Sequence, residues 1–289
     1  TKTQQFTRTE TDLTVTLDGH VFNLVRQYDS LNASTVNGQS SFGNGWRLAN
    51  RDVNLETNLE PRTSNPEPFR TGTRLYLTLP TGERVGYTFA PVQQTVNGVT
   101  YYTPAFTPDA SPLTPHVWTL QALDAKLTRA GDRFFDFQTG EAYNPVNPSL
   151  VTGLPAEASA QAGHSSLVLT LTGPDGTQYK LTSQGKVGEE IRPDGKKFIL
   201  SDSGITALNG ESVQFTWTSS DHLPLTIDHS PLLSSITGPD GPRLVYTYDQ
   251  QGNLVSARDL ITGDTSRYGY APIHSPLTID HSALTLITR

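Results

Sequence analysis

The sequence predicts an all-β fold with very little helix, made of antiparallel hairpins that form a sandwich or a β-spiral sheet. Three observations carry that expectation. Asp18-Gly19, Asn97-Gly98 and Asn209-Gly210 each lie between alternating apolar runs, and an Asx-Gly pair in that setting is the strongest short-range hairpin signal. Further turns recur at Pro174-Asp175-Gly176, Gly185, Pro193-Asp194-Gly195 and Gly204. The gaps between turns are strand-length and rich in Val, Thr, Tyr and Leu, which suit a pleated, half-buried surface.

Composition bounds the rest. The 289 residues leave room for one large β domain or two smaller ones. Charged residues make up 17% and hydrophobic ones 35%, with 24 Gly and 20 Pro. Apolar residues recur along the whole length, so the chain is turn-rich and globular rather than disordered. A net charge of -7 gives no electrostatic reason to bind nucleic acid or anionic lipid. The absence of cysteine excludes disulfides and thiolate zinc sites. There is no methionine, even at position 1, so a fragment or processed product is expected, with any export signal outside it. No apolar run is long enough to span a membrane.

Taken in order, residues 1–9 are a lead-in, and residues 11–29 form a hairpin around Asp18-Gly19. Leu13, Val15 and Leu17 point one way on it, Thr14 and Thr16 the other. Phe42-Gly43-Asn44-Gly45-Trp46 then implies a sharp bend with both rings packed inward and buried. Two more hairpins follow, around Pro80-Thr81-Gly82-Glu83 and Asn97-Gly98. Pro-rich loops are expected at 56–70 and 104–115. In residues 117–130, Leu120, Leu123 and Leu127 would share a helix face, but strands are preferred because Arg133-Phe134-Phe135-Asp136 follows directly. The expected boundary is 144–163, small and polar, dividing a β-rich region 1–150 from a hairpin array 151–289.

Two motifs near the C-terminus stand out. Ile236-Thr237-Gly238-Pro239-Asp240-Gly241, then Tyr246-Thr247-Tyr248-Asp249, then Gln251-Gly252-Asn253-Leu254, reads as strand, turn, strand, turn, strand. The nine residues from His222 recur from His274 with eight identities, an offset of 52, so the chain contains an internal duplication. The two copies are expected to be equivalent strands on successive turns of one sheet.

Candidate chemistry is sparse. The duplicated Asp-His-Ser tripeptides (228–230 and 280–282) suggest a triad, but neighbouring strand residues point to opposite faces, so Asp228 and His229 cannot pair head-on. His222, His229, His274 and His281, with Asp228 or Asp280, would offer metal ligands; a structural rung is the preferred reading, and no metal or cofactor is assigned. Asp175, Asp194 and Asp240 lack calcium-loop spacing and read as turn formers. Glu189-Glu190 is the only acid pair, and its members cannot face each other across a cleft as glycoside hydrolysis needs. Tyr101 and Tyr102 are the candidate ligand-binding residues, because adjacent strand residues cannot both face one core.

The order I-T-x-P-x-G, Y-x-Y-D, x-x-G-N-L resembles the YD-repeat, or Rhs, family of bacterial surface and toxin-shell proteins. Arg26-Gln27-Tyr28-Asp29-Ser30, followed by Phe42-Gly43-Asn44-Gly45-Trp46, resembles the segment that opens many such shells. The resemblance implies a teneurin-like β-spiral and a non-catalytic structural fragment at the bacterial cell surface or outside the cell. Its partners would be the rest of the parent polypeptide or an enclosed cargo, with no nucleic acid and no membrane insertion. The alternative is a carbohydrate-binding adhesin module that meets glycans or cell-surface proteins. The family's self-cleaving core region has no counterpart here.

Overall fold

The structure, a computed structural model, describes residues 5–32, 40–59, 67–109, 118–123, 125–146, 167–218 and 231–270 of the chain. Among them are 22 strands and one short 3-10 turn, Ser30–Asn32. The expectation of an all-β, antiparallel fold holds.

The chain forms two compact units. The first opens with a three-stranded sheet, β1 (Thr7–Leu17), β2 (His20–Asp29) and β3 (Trp46–Leu48), in that order. Asp18 (φ 46°) and Gly19 (φ 80°) form the β1–β2 turn, the left-handed pair that a type I′ hairpin requires. Leu13 and Leu17 are buried, while Thr14 and Thr16 are exposed, as the alternation predicts. A bulge at Asp12 interrupts the β1–β2 register between Thr11 and Leu13. The extra residue lets Glu10 and Leu13, of opposite parity in sequence, both pair toward the covered face.

The second unit, residues 53–201, holds β4 (Glu56–Thr57), β5 (Arg74–Thr78), β6 (Arg84–Phe89), β7 (Val92–Val96), β8 (Val99–Thr103) and β9 (Phe106–Pro108). They are followed by β10 (Thr119–Ala122), β11 (Leu127–Ala130), β12 (Arg133–Asp136), β13 (Leu167–Thr172), β14 (Gln178–Thr182), β15 (Val187–Ile191) and β16 (Lys197–Ser201). Two four-stranded sheets run β4-β5-β6-β9 and β12-β11-β8-β7, and β10 and β13 to β16 pair in sequence. The described residues of 118–130 give two strands, β10 and β11, rather than a helix; Leu120 and Leu127 are buried and Leu123 is exposed. The core of this unit is Phe69, Leu75, Leu77, Phe89, Leu127, Phe134, Leu169, Leu171, Leu181 and Phe198.

The first unit resumes at residue 202. β17 (Gly204–Ala207), β18 (Ser212–Trp217), β19 (Leu233–Gly238), β20 (Gly241–Tyr248), β21 (Leu254–Asp259) and β22 (Thr265–Arg267) pair each with the next, an up-and-down meander. Side-chain Asx turns tie these hairpins: Asn209 Oδ1 accepts from the Glu211 N–H at 3.0 Å and Asp249 Oδ1 from the Gln251 N–H at 2.9 Å. Both nine-residue copies, with His222, His229, His274 and His281, lie outside the described residues, as does the linker from residue 147 onward.

Candidate functional site

Among the described residues of the first unit, a charged constellation is assembled from the β2 row Phe22, Leu24, Arg26 and Tyr28, which alternates inward along the strand. All four are at most 1% exposed. An arginine on a buried row must carry its own counter-charges. Glu10 is its direct cross-strand partner, and the bulge brings Asp12 beside it. Arg26 Nε donates to Asp12 Oδ2 at 2.5 Å, and Nη2 donates to Asp12 Oδ1 and Glu10 Oε2, each at 2.8 Å.

Four aromatic rings close around the cation. The guanidinium carbon is 5.0 Å from the Trp46 ring centroid, 5.3 Å from Tyr268, 5.5 Å from Tyr246 and 5.7 Å from Phe42, within cation–π reach. The tyrosines also satisfy the acids. Tyr246 donates to Asp12 Oδ2 at 2.6 Å, Tyr268 donates to Glu10, and Arg26 Nη2 donates to the Tyr268 hydroxyl oxygen at 2.8 Å. Burial alone would lower the Arg26 pKa, but the Asp12 carboxylate outweighs it and holds the group above its ordinary value. Burial pushes the Tyr268 hydroxyl up to about 12 and Tyr246 well above the ordinary tyrosine range. Every acid in the cage is thus engaged by a donor.

A clasp lies beside the cage. Tyr248 donates to the Leu233 carbonyl at 2.6 Å, tying the end of β20 to the start of β19. The next residue, Asp249, caps the turn: Oδ1 accepts from Gln251 N and Asn253 N, each at 2.9 Å. The Phe42-to-Trp46 bend docks on that turn. Gly43 (φ 81°) leaves no room for a side chain, since a Cβ would collide with the Gly252 carbonyl oxygen. Asn44 Nδ2 donates to Asn253 Oδ1 at 2.9 Å. Phe42 and Trp46 are both fully buried, as expected, and Trp46 Nε1 donates to the Tyr270 hydroxyl oxygen at 3.0 Å.

The other residues singled out from sequence fall elsewhere. Tyr101 and Tyr102 lie on β8, on opposite faces, each half-buried. The Lys126 ammonium sits 5.1 Å from the Tyr101 ring centroid, and Tyr102 packs edge-on to Phe134 at 5.3 Å. Asp175 accepts from both the hydroxyl and the N–H of Thr177, which hold its carboxyl below the usual range. Asp194 accepts from the Lys196 N–H. Glu189 pairs with Lys197 at 2.8 Å, and Glu190 with Arg192 at 2.7 Å. Among the described residues no cluster of three or more His, Asp or Glu side chains is placed to hold a metal ion. No helix among them is long and apolar enough to cross a membrane.

Sequence reasoning missed the cage. Its signal was available as an arginine in a period-two apolar row, with two acids on the preceding strand. Residues 232–260, spanning β19, β20 and β21, match the RHS Repeat family model. No curated protein matches the chain.

Proposed function

Because the chain carries a YD-type Rhs repeat, we propose that it is a non-catalytic structural segment of a larger strand-built surface or shell protein. The Arg26 cage is the observation that supports this most. Its acids, tyrosines and tryptophan hold the β1–β2 hairpin to β20 and to Tyr268, just past β22, and leave no free base or nucleophile there. The repeat motif thus acts as a receptor for the hairpin that opens the chain. The protein works outside the cell or at its surface, and its partner is the remainder of its own polypeptide or the cargo that polypeptide encloses.

Limited proteolysis of the parent polypeptide tests this. The segments that follow the repeat should be protected in the wild type and cleaved early when Arg26→Ala opens the cage. Equal cleavage in both would overturn the shell reading.

A second reading, a carbohydrate-binding adhesin, draws on the exposed β7–β8 hairpin that bears Tyr101 and Tyr102. Its weakness is that the lysine over Tyr101 and Phe134 against Tyr102 each engage one ring, and sugar binding needs a free ring face. Glycan-array binding that disappears in Tyr101→Ala would favour this reading over the scaffold.

A further inference from the structure

A cleft of about 620 Å³ opens in the first unit between β1 and the β19–β20 turn. Its lining has an unusual order. One wall is six consecutive residues, 11–16, and the other includes four consecutive turn residues, 238–241, with Arg243 and Ile261. Successive strand side chains point to opposite faces, so six in a row can line one cleft only if the strand's edge borders it. β1 is indeed an edge strand, and β2 is its sole strand partner among the described residues.

The register shows which backbone groups face the cleft. Leu17 and His20 flank a two-residue turn and so form a hydrogen-bonded pair. Counting back, Val15–Phe22 and Leu13–Leu24 are hydrogen-bonded pairs, whereas Thr16–Val21 and Thr14–Asn23 are not. The N–H and C=O groups of Thr14 and Thr16 therefore point away from β2, into the cleft. They amount to two donors and two acceptors, alternating as an added strand needs. The volume lies within the range of sites that hold small ligands.

The charges on the walls select among strands. Asp12 is neutralised by Arg26, and Arg243 is paired with Asp259 at 2.9 Å. Asp240, exposed at the turn, is the remaining carboxylate on the lining. The geometry points to a β-augmentation site: the β1 edge takes up an extended peptide of a partner protein, about six residues long, with a basic side chain beside Asp240. Main-chain hydrogen bonds to Thr14 and Thr16 supply the affinity, and Asp240 supplies the charge preference.

An array of fluorescein-labelled hexapeptides of alternating valine and threonine, with one lysine moved through each position, tests the site on the whole chain. Binders should appear for some lysine positions. Thr14→Pro removes an outward N–H without touching the β1–β2 ladder and should weaken them about tenfold. Asp240→Lys lies on the exposed turn, away from the strand, and should shift preference to the glutamate counterparts of the same peptides. Unchanged circular dichroism shows that each variant is folded, and Asp240→Lys decides the matter if Thr14→Pro is not. Hydrogen exchange at the Thr14 and Thr16 amides should slow on binding. The proposal fails if no peptide binds, or if binding is indifferent to Asp240→Lys. It also fails if sedimentation shows a dimer that Thr14→Pro dissolves, since the occupant is then a second copy of this chain.

Discussion

The β1–β2 and β7–β8 hairpins turn in the same way and end in opposite environments. Asp18-Gly19 has φ values of 46° and 80°, and Asn97-Gly98 has 51° and 79°. Both are flanked by directly paired residues, Leu17 with His20 and Val96 with Val99. Yet Leu17 is fully buried, while Val96 and Val99 are each about half exposed. The difference lies in the rows. β2 presents Phe22, Leu24, Arg26 and Tyr28 on one face, large side chains that demand cover. β7 alternates valine and glutamine against glutamine and threonine, and neither face needs it. Turn chemistry fixes where a chain reverses; the size of the alternate residues decides whether the hairpin is a core element or an exposed ribbon.

The largest test breaks the buried row. Arg26→Ala leaves Asp12 facing four rings with no cation, and Glu10 with Arg8 alone, and should cost about 3–5 kcal/mol. Trp46→Ala, which removes one wall of the same cage, should cost a similar ~3–5 kcal/mol. Replacing Arg26 by Met together with Glu10→Gln and Asp12→Asn should recover most of the loss, because the buried charges go with their partner. Denaturant midpoints followed by the Trp46 and Trp217 fluorescence of the first unit would measure this. A single Arg26→Ala variant as stable as the wild type would show that the cage holds nothing.

The cage should also fail at high pH. Burial holds the Tyr268 hydroxyl at about 12 against an ordinary 10.0, and raises Tyr246 well above its ordinary value as well. The unfolded chain therefore releases these protons first. The stability they contribute is intact below pH 10 and declines as pH rises through 10 toward 12. Phenolate absorbance should stay low for these groups until the unit unfolds. A gradual titration near pH 10 with the fold intact would contradict the burial.

Much of this was legible in the sequence, and what was not has a physical reason. The Asx-Gly turns and the alternation of Leu13, Val15 and Leu17 are local, so they could be read directly. The repeat from Ile236 to Leu254 could also be read, because its Tyr248-Asp249 pair makes local bonds: Asp249 caps its own turn and Tyr248 reaches back one strand. Arg26 could not be placed, because its partners come from three stretches: residues 10–12, 42–46 and 246–268. The Asp12 bulge was equally hidden, since Thr11-Asp12-Leu13 alternates normally as text and slips only against its partner strand. Burial of the Tyr101–Tyr102 hairpin was ambiguous for the converse reason: its residues suit either environment.

A smaller effect should be common to both hairpins. Asp18 and Asn97 hold left-handed backbone that Ala adopts poorly. Asp18→Ala and Asn97→Ala should each cost about 1 kcal/mol, despite the different burial around them. Asn97→Gly should restore the loss. If Asp18→Ala costs several times more than Asn97→Ala, the turn itself is part of the buried assembly and the two hairpins differ at their tips as well as along their rows.

The smallest effect is expected at the exposed ribbon. Val96 and Val99 face each other across the Asn97-Gly98 turn and are 52% and 50% exposed. Thr is close to Val in shape and keeps the β-branch that strands favour. On a face open to water its hydroxyl is hydrated, and little apolar burial is lost. Val96→Thr and Val99→Thr should therefore each lie within about ±0.5 kcal/mol of the wild type, as should their sum. Denaturation of the second unit, followed by Trp118 fluorescence, would report it. A loss above about 1 kcal/mol would mean that the valine face is covered in solution. The contrast between the two hairpins would then be one of partner rather than of exposure.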